Sequence, residues 1–188
     1  MPHMHRARDV RRSTGGYTLI ELLMVVALMG LAASLLIPQL SNRDSLRVQA
    51  AVRQLIADLS FAQSDALARQ EHRRVHFYDD GSGYCIVRSD GTDDFDPDTA
   101  DYIFDPLGGG DQQYIRNIAT DKRFDGVTIT SVDIDGGESD IIYDQLGGTV
   151  QASGLPGVGG TIELSGGGFV YEIRISPFTG KLTIVRTS

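Results

Sequence analysis

The chain has 188 residues, enough for one modest domain and an anchor but not for two large domains. Its net charge of −8 is uneven, with +3 on Met1 to Gly16 and −11 on the remainder, a balance that argues against general nucleic-acid binding, which rests on clustered Lys and Arg. Cys85 is the only cysteine, which excludes an internal disulfide and reads as a small buried hydrophobe.

The first element after the basic head is an apolar run of 21 residues, Tyr17 to Ile37, whose one charge is Glu21. At ~1.5 Å per residue a helix of this length matches the ~30 Å hydrocarbon core of a bilayer. The preceding arginines (Arg6, Arg8, Arg11, Arg12) place the start of the chain on the cytoplasmic side and Gln39 onward outside. A secretory signal peptide would carry its small-residue cleavage site after the run, whereas here Gly15-Gly16 precedes it. A carboxylate in lipid is expensive and calls for a partner, although one turn from the helix start it could also snorkel to the headgroups.

Pro38 predicts a bend at the far end of the run, and Gly30 is a second weak point. Beyond it Val48, Val52, Leu55, Ile56, Leu59, Ala62, Ala66 and Leu67 recur at three and four residues, with Arg47, Arg53, Asp58, Gln63 and Asp65 on the other face. One helix is therefore expected from about Leu19 to about Arg69, its outer half needing a sheet to cover the stripe.

Arg74–Tyr78 and Tyr84–Arg88 alternate around DDGSG as a hairpin. Further strands are expected at 127–134, 140–143, 160–164, 169–176 and 181–186, the last two joined by PFTG. With no second long helix, the class is α+β with mostly antiparallel strands. Between them, Ser89–Gln113 is long, acidic and rich in turn residues, and reads as a solvated loop on the outer face.

The run Gly16-Tyr-Thr-Leu-Ile-Glu-Leu-Leu23 after a short basic leader resembles the type IV pilin and pseudopilin class. Tyr17 stands where phenylalanine is commoner. The stretch RQLIADLSFAQSDALARQEHRRVHF and the closing pattern IIYDQLGGTVQASG, TIELSGGG, YEIRISPFTGKLTIV are similar to the type II secretion system protein H family. The resemblance implies a pilin-like fold: leader 1–16, transmembrane and filament-core helix 17–38, periplasmic globular domain 39–188. It further implies cleavage between Gly16 and Tyr17 by a prepilin peptidase, N-methylation of Tyr17, and a kink at Pro38. Glu21 would receive the N-terminal amine of a neighbouring subunit during filament assembly. The implied setting is the bacterial inner membrane, with other pseudopilins or pilins and secreted substrates as partners. Within the class, a minor type IV pilin for adhesion, motility or DNA uptake is the alternative to a secretion subunit.

Asp93, Asp94, Asp96, Asp98 and Asp101 form one acidic cluster and Asp133, Asp135, Glu138 and Asp140 a second. Some pseudopilins bind calcium in a loop, yet neither cluster has the spacing of a helix–loop–helix calcium site, so solvated turns are the expectation and no cofactor is required. GLPGVGG and SGGG lack the lysine and Ser/Thr of a phosphate loop and read as hairpin turns. His72 and His76 read as surface or strand-face residues. No nucleophile, base or acid pair is singled out by spacing, which predicts a non-enzymatic protein. Arg174, Lys181 and Arg186 alone offer weak contact to nucleic acid at best.

Overall fold

The computed structural model describes residues 16–90, 95–105 and 112–187, with the side chains of 34–43 outside that description. One α-helix, α1 (Leu19–Arg69), runs for 51 residues through Pro38, whose side chain lies outside the described set. Compactness divides the chain into Met1–Gln39 and Leu40–Ser188. Among the described residues no helix is long and apolar enough to cross a membrane. The described side chains of the first unit end at Ala33, so residues 34–37 of the expected span lie outside them.

At its C-terminal end α1 stops without glycine. Gln70 takes φ 53° and the Glu71 N–H reaches back to the Ala66 carbonyl at 3.2 Å, the six-to-one bond that closes a helix. The chain then turns directly into strand.

Among the described residues nine strands follow: β1 (His72–Phe77), β2 (Gly83–Ser89), β3 (Ile115–Asn117), β4 (Thr128–Ile134), β5 (Asp140–Tyr143), β6 (Thr149–Val150), β7 (Gly160–Gly166), β8 (Phe169–Ile175) and β9 (Leu182–Arg186). The expected class, α+β and antiparallel, is the one observed. The expected single sheet is instead two, ordered β3-β2-β1-β5-β6 and β4-β7-β8-β9. β4 separates from its sequence neighbour β5 because its full length pairs with β7, while β5 pairs with β1.

Both sheets contribute to one core with the helix: Val48, Val52, Leu55, Leu59, Ala62 and Ala66 meet Val75, Phe77, Tyr84, Ile86, Ile141, Ile162, Leu164 and Ile173, all essentially buried. Leu67, expected in the stripe, is instead exposed. SGGG is a hairpin turn as expected: Gly167 and Gly168 both have positive φ (57° and 84°), the two-residue turn that matches strand twist. A Cβ on Gly167 would fall 2.2 Å from the Asp44 Cβ, so the β7–β8 turn lies directly against the helix. GLPGVGG is a connection from one sheet to the other, because β6 and β7 do not pair.

The loop expected to be solvated is partly interior. Val87 bridges Tyr102 and Phe104 bridges Gln113, and Ile103 and Asp105 are buried. Phe95 stacks on His76 with ring centres 3.8 Å apart.

Candidate assembly site

The N-terminal motif supplies the first part of the site. Thr18 caps α1: its carbonyl accepts from the N–H groups of Glu21 and Leu22, and its Oγ1 accepts from the Glu21 N–H at 3.3 Å. Thr18 and Glu21 thus stand three apart as a Thr-x-x-Glu start, with the carboxylate in the first turn where the helix dipole favours it. The capping role of Thr18 was legible from that spacing and is an addition to the expected roles of Gly16, Tyr17 and Glu21.

Upstream, the peptide around Gly16 is open: a Cβ there would meet nothing within 4 Å, and Tyr17 is 87% exposed. Downstream, Leu19, Ile20, Leu22, Leu23, Met24, Val25, Val26, Leu28 and Met29 are all exposed, and at ~100° per residue they fall on every side of the helix. A helix apolar all round belongs inside lipid or inside a packed bundle. The arrangement joins an open peptide bond, an exposed aromatic residue, and a carboxylate one turn further along an apolar rod.

The second part fixes the helix to the sheets, and here the sequence expectation is corrected. Asp58, expected on the solvent face, is 3% exposed. Its two carboxylate oxygens accept from Gln54 Nε2 (2.8 Å), Tyr84 Oη (2.7 Å), Tyr114 Oη (2.9 Å) and Arg116 Nε (3.2 Å). Arg116 also pairs with buried Asp105 and lies over the Tyr114 ring at 4.4 Å. Burial and then the Asp58 charge push the Tyr84 and Tyr114 hydroxyls far above the ordinary phenol range, so both remain donors. For Arg116 burial works against the cation, but Asp105 and Asp58 outweigh it and hold the guanidinium charged. The position was readable in part, since Asp58 is three residues from Leu55 and four from Ala62, on the stripe itself.

Gln63 and Asp65 are likewise turned to partners. Gln63 Nε2 donates to the Gly147 carbonyl (2.6 Å) and the Thr179 carbonyl (2.9 Å), in the β5–β6 and β8–β9 turns. Asp65 accepts from buried Arg73 Nε at 2.5 Å and from Arg69 Nε at 2.9 Å. Burial would raise the Asp65 carboxyl, but the bonds from Arg73 and Arg69 prevail and hold it below the usual carboxylate range. A depressed folded-state pKa contributes stability that is complete above the unfolded value of about 3.9 and is lost as pH falls through the folded value. Urea midpoints should therefore fall between pH 5 and pH 3, and Asp65→Asn should be less stable at pH 7 while losing part of that acid dependence; an unchanged pH profile would remove Asp65 from the account.

The acidic clusters are used internally. Asp96 accepts from the Asp98 N–H and the Thr99 hydroxyl, and Asp101 pairs with Arg88 at 2.9 Å. Asp93 and Asp94 lie outside the described residues. In the second cluster Asp135 accepts from the Val158 and Gly159 N–H groups, while Asp140 lies 2.6 Å from His76 Nδ1 and 3.5 Å from Arg74. Among the described residues no three His, Cys, Asp or Glu side chains gather as a metal-binding group. Cys85 sits opposite His76 across β1–β2, and burial pushes its thiol up to about 11, so it is a neutral, buried group at physiological pH.

A long helix packed by its C-terminal half against antiparallel sheets is a pilin-like architecture. Residues 11–37 match the model of the prokaryotic N-terminal methylation motif. Residues 51–180 match the model of the Type II transport protein GspH, and the chain belongs to that family, one of structural pseudopilins. Neither the comparison with curated proteins nor that with solved structures gives a match.

Proposed function

We propose that the protein is a minor pseudopilin, a non-enzymatic subunit of the type II secretion pseudopilus. The observation that carries this reading is the all-round apolar, exposed helix that begins at the methylation motif, joined to a body of the GspH family. Prepilin peptidase cleaves between Gly16 and Tyr17, and Tyr17 is then N-methylated. The precursor spans the inner membrane once through residues 17–38, with the leader cytoplasmic and residues 39–188 periplasmic. On extraction into the filament the helices pack together, and Glu21 takes the new N-terminal amine of a neighbour, a pair that neutralises both charges where water is scarce. The globular body meets other pseudopilins and secreted substrates. A minor type IV pilin shares the methylation motif; the GspH match favours secretion.

Intact mass of the protein extracted from its native membrane tests this reading. A species lacking Met1 to Gly16 and carrying one added methyl group is expected. Full-length mass, or cleavage after the apolar run, would overturn it.

A further inference from the structure

Three turns of the body meet at Phe178. Its N–H donates to the Gly157 carbonyl at 3.2 Å and its carbonyl accepts from the Thr149 N–H at 3.1 Å, so the β8–β9 turn is bonded to the β6–β7 connection and to the start of β6. The Gln63 amide, donating to the Gly147 and Thr179 carbonyls, ties the β5–β6 turn and α1 to the same place. β6 is one edge of its sheet, and β2 and β3 lie toward the opposite edge.

On this backbone knot stand apolar side chains that the core does not use. Leu146 is 84% exposed and Phe178 64%. Leu155, Val158 and Leu67, the last one turn along α1 from Gln63, are each more than half exposed. A single exposed leucine is ordinary, whereas a group drawn from three turns and a helix end marks an interaction surface. Phe178 supplies a second observation. Its φ of 61° lies in the left-handed region that disfavours a bulky side chain, and its outward ring gains too little burial to offset that strain. Strain kept at an exposed aromatic residue points to a use outside the fold.

The charges at the margin define the occupant. Asp144 accepts from the Leu146 and Gly148 N–H groups and Asp135 from those of Val158 and Gly159, so both carboxylates serve the turns. Lys181 is exposed and makes no ion pair among the described residues. The body around it belongs to the −11 carried beyond Gly16, and like net charge disfavours a second copy of this chain. The apolar group calls for an apolar face, and Lys181 for one carboxylate at the edge of that face.

We infer that this end of the body docks an apolar face of a neighbouring filament subunit, with Leu146 and Phe178 at the centre and Lys181 pairing a carboxylate at the margin. The inference rests on the filament reading above.

Cys85 is buried, so a thiol introduced by Leu146→Cys is the one open to a maleimide. The full-length variant is labelled free in detergent and within filaments assembled with its partner pseudopilins. Labelling is expected to slow at least about tenfold in the filament, because the core of an interface excludes solvent. In parallel, Phe178→Gly removes the ring and relieves the left-handed backbone. It should keep a near-native or higher melting temperature yet enter filaments at least about tenfold less well. Lys181→Glu should also reduce entry. Equal labelling in the two states, or normal entry of Phe178→Gly, would overturn the inference alone. Normal entry of Phe178→Gly with secretion lost would overturn it in favour of a secreted substrate on this surface. Labelling that slows with concentration in the pure protein would overturn it in favour of a second copy. Absence of the wild-type protein from filaments would overturn the filament reading and this inference together.

Discussion

Asp58→Ala is expected to be the most damaging single change in the globular body. It would leave the Arg116 guanidinium and the Tyr84 and Tyr114 hydroxyls facing each other in the interior without the carboxylate that receives them. Removing one partner of a buried charge pair costs about 3–5 kcal/mol, a large share of the ~5–15 kcal/mol that holds a domain folded. At ~2–4 °C per kcal/mol for a domain of this size, the melting temperature should fall by roughly 10 °C. Asp58→Asn keeps an acceptor but not the charge and should fall between wild type and the alanine variant. Thermal unfolding followed by circular dichroism decides the matter: a shift below about 2 °C for Asp58→Ala would show that the network has little to do with stability.

Glu21→Ala should have the largest effect on assembly while leaving the fold and leader cleavage intact. A neighbour's N-terminal amine left unpaired among apolar helices carries a penalty of about 2.5–3.5 kcal/mol, or roughly a hundredfold loss of filament incorporation. Glu21→Gln preserves shape and polarity without charge and should fail nearly as badly. Filament yield measured by quantitative immunoblot of sheared fractions separates this from the capping role seen at Thr18, which is worth only a few tenths to 1 kcal/mol. Near-normal incorporation of both variants would dismiss the charge pair.

The long helix and most strands were legible because they rest on local periodicity: the three-and-four spacing from Val48 to Ala66, and alternation around DDGSG and PFTG. The two short strands β3 and β6 were not, because three and two residues carry no measurable alternation. The division into two sheets was hidden for a different reason. Pairing of β4 with β7 joins segments some thirty residues apart, and nothing in either segment names its partner. Asp58, Gln63 and Asp65 were placed on the solvent face because a charged or amide side chain on an amphipathic helix is usually there. Their true partners, Tyr84, Tyr114, Arg116, Arg73 and two turn carbonyls, become neighbours only after folding. The N-terminal motif was legible because it is carried by contiguous residues, and residues 11–37 match the N-terminal methylation model.

The polar rivets along α1 have a mechanical consequence. Under the proposed function the subunit is drawn out of a membrane through its helix, and that tension must pass to the body through whatever joins the two. Asp58 grips β2 and β3, Gln63 grips two turns, and Asp65 grips β1, all within two turns of helix. Loaded along the helix axis they bear force in shear and together, so the body comes away only if all three give at once. The join behaves as a lap joint with several pins, not as a peeling seam.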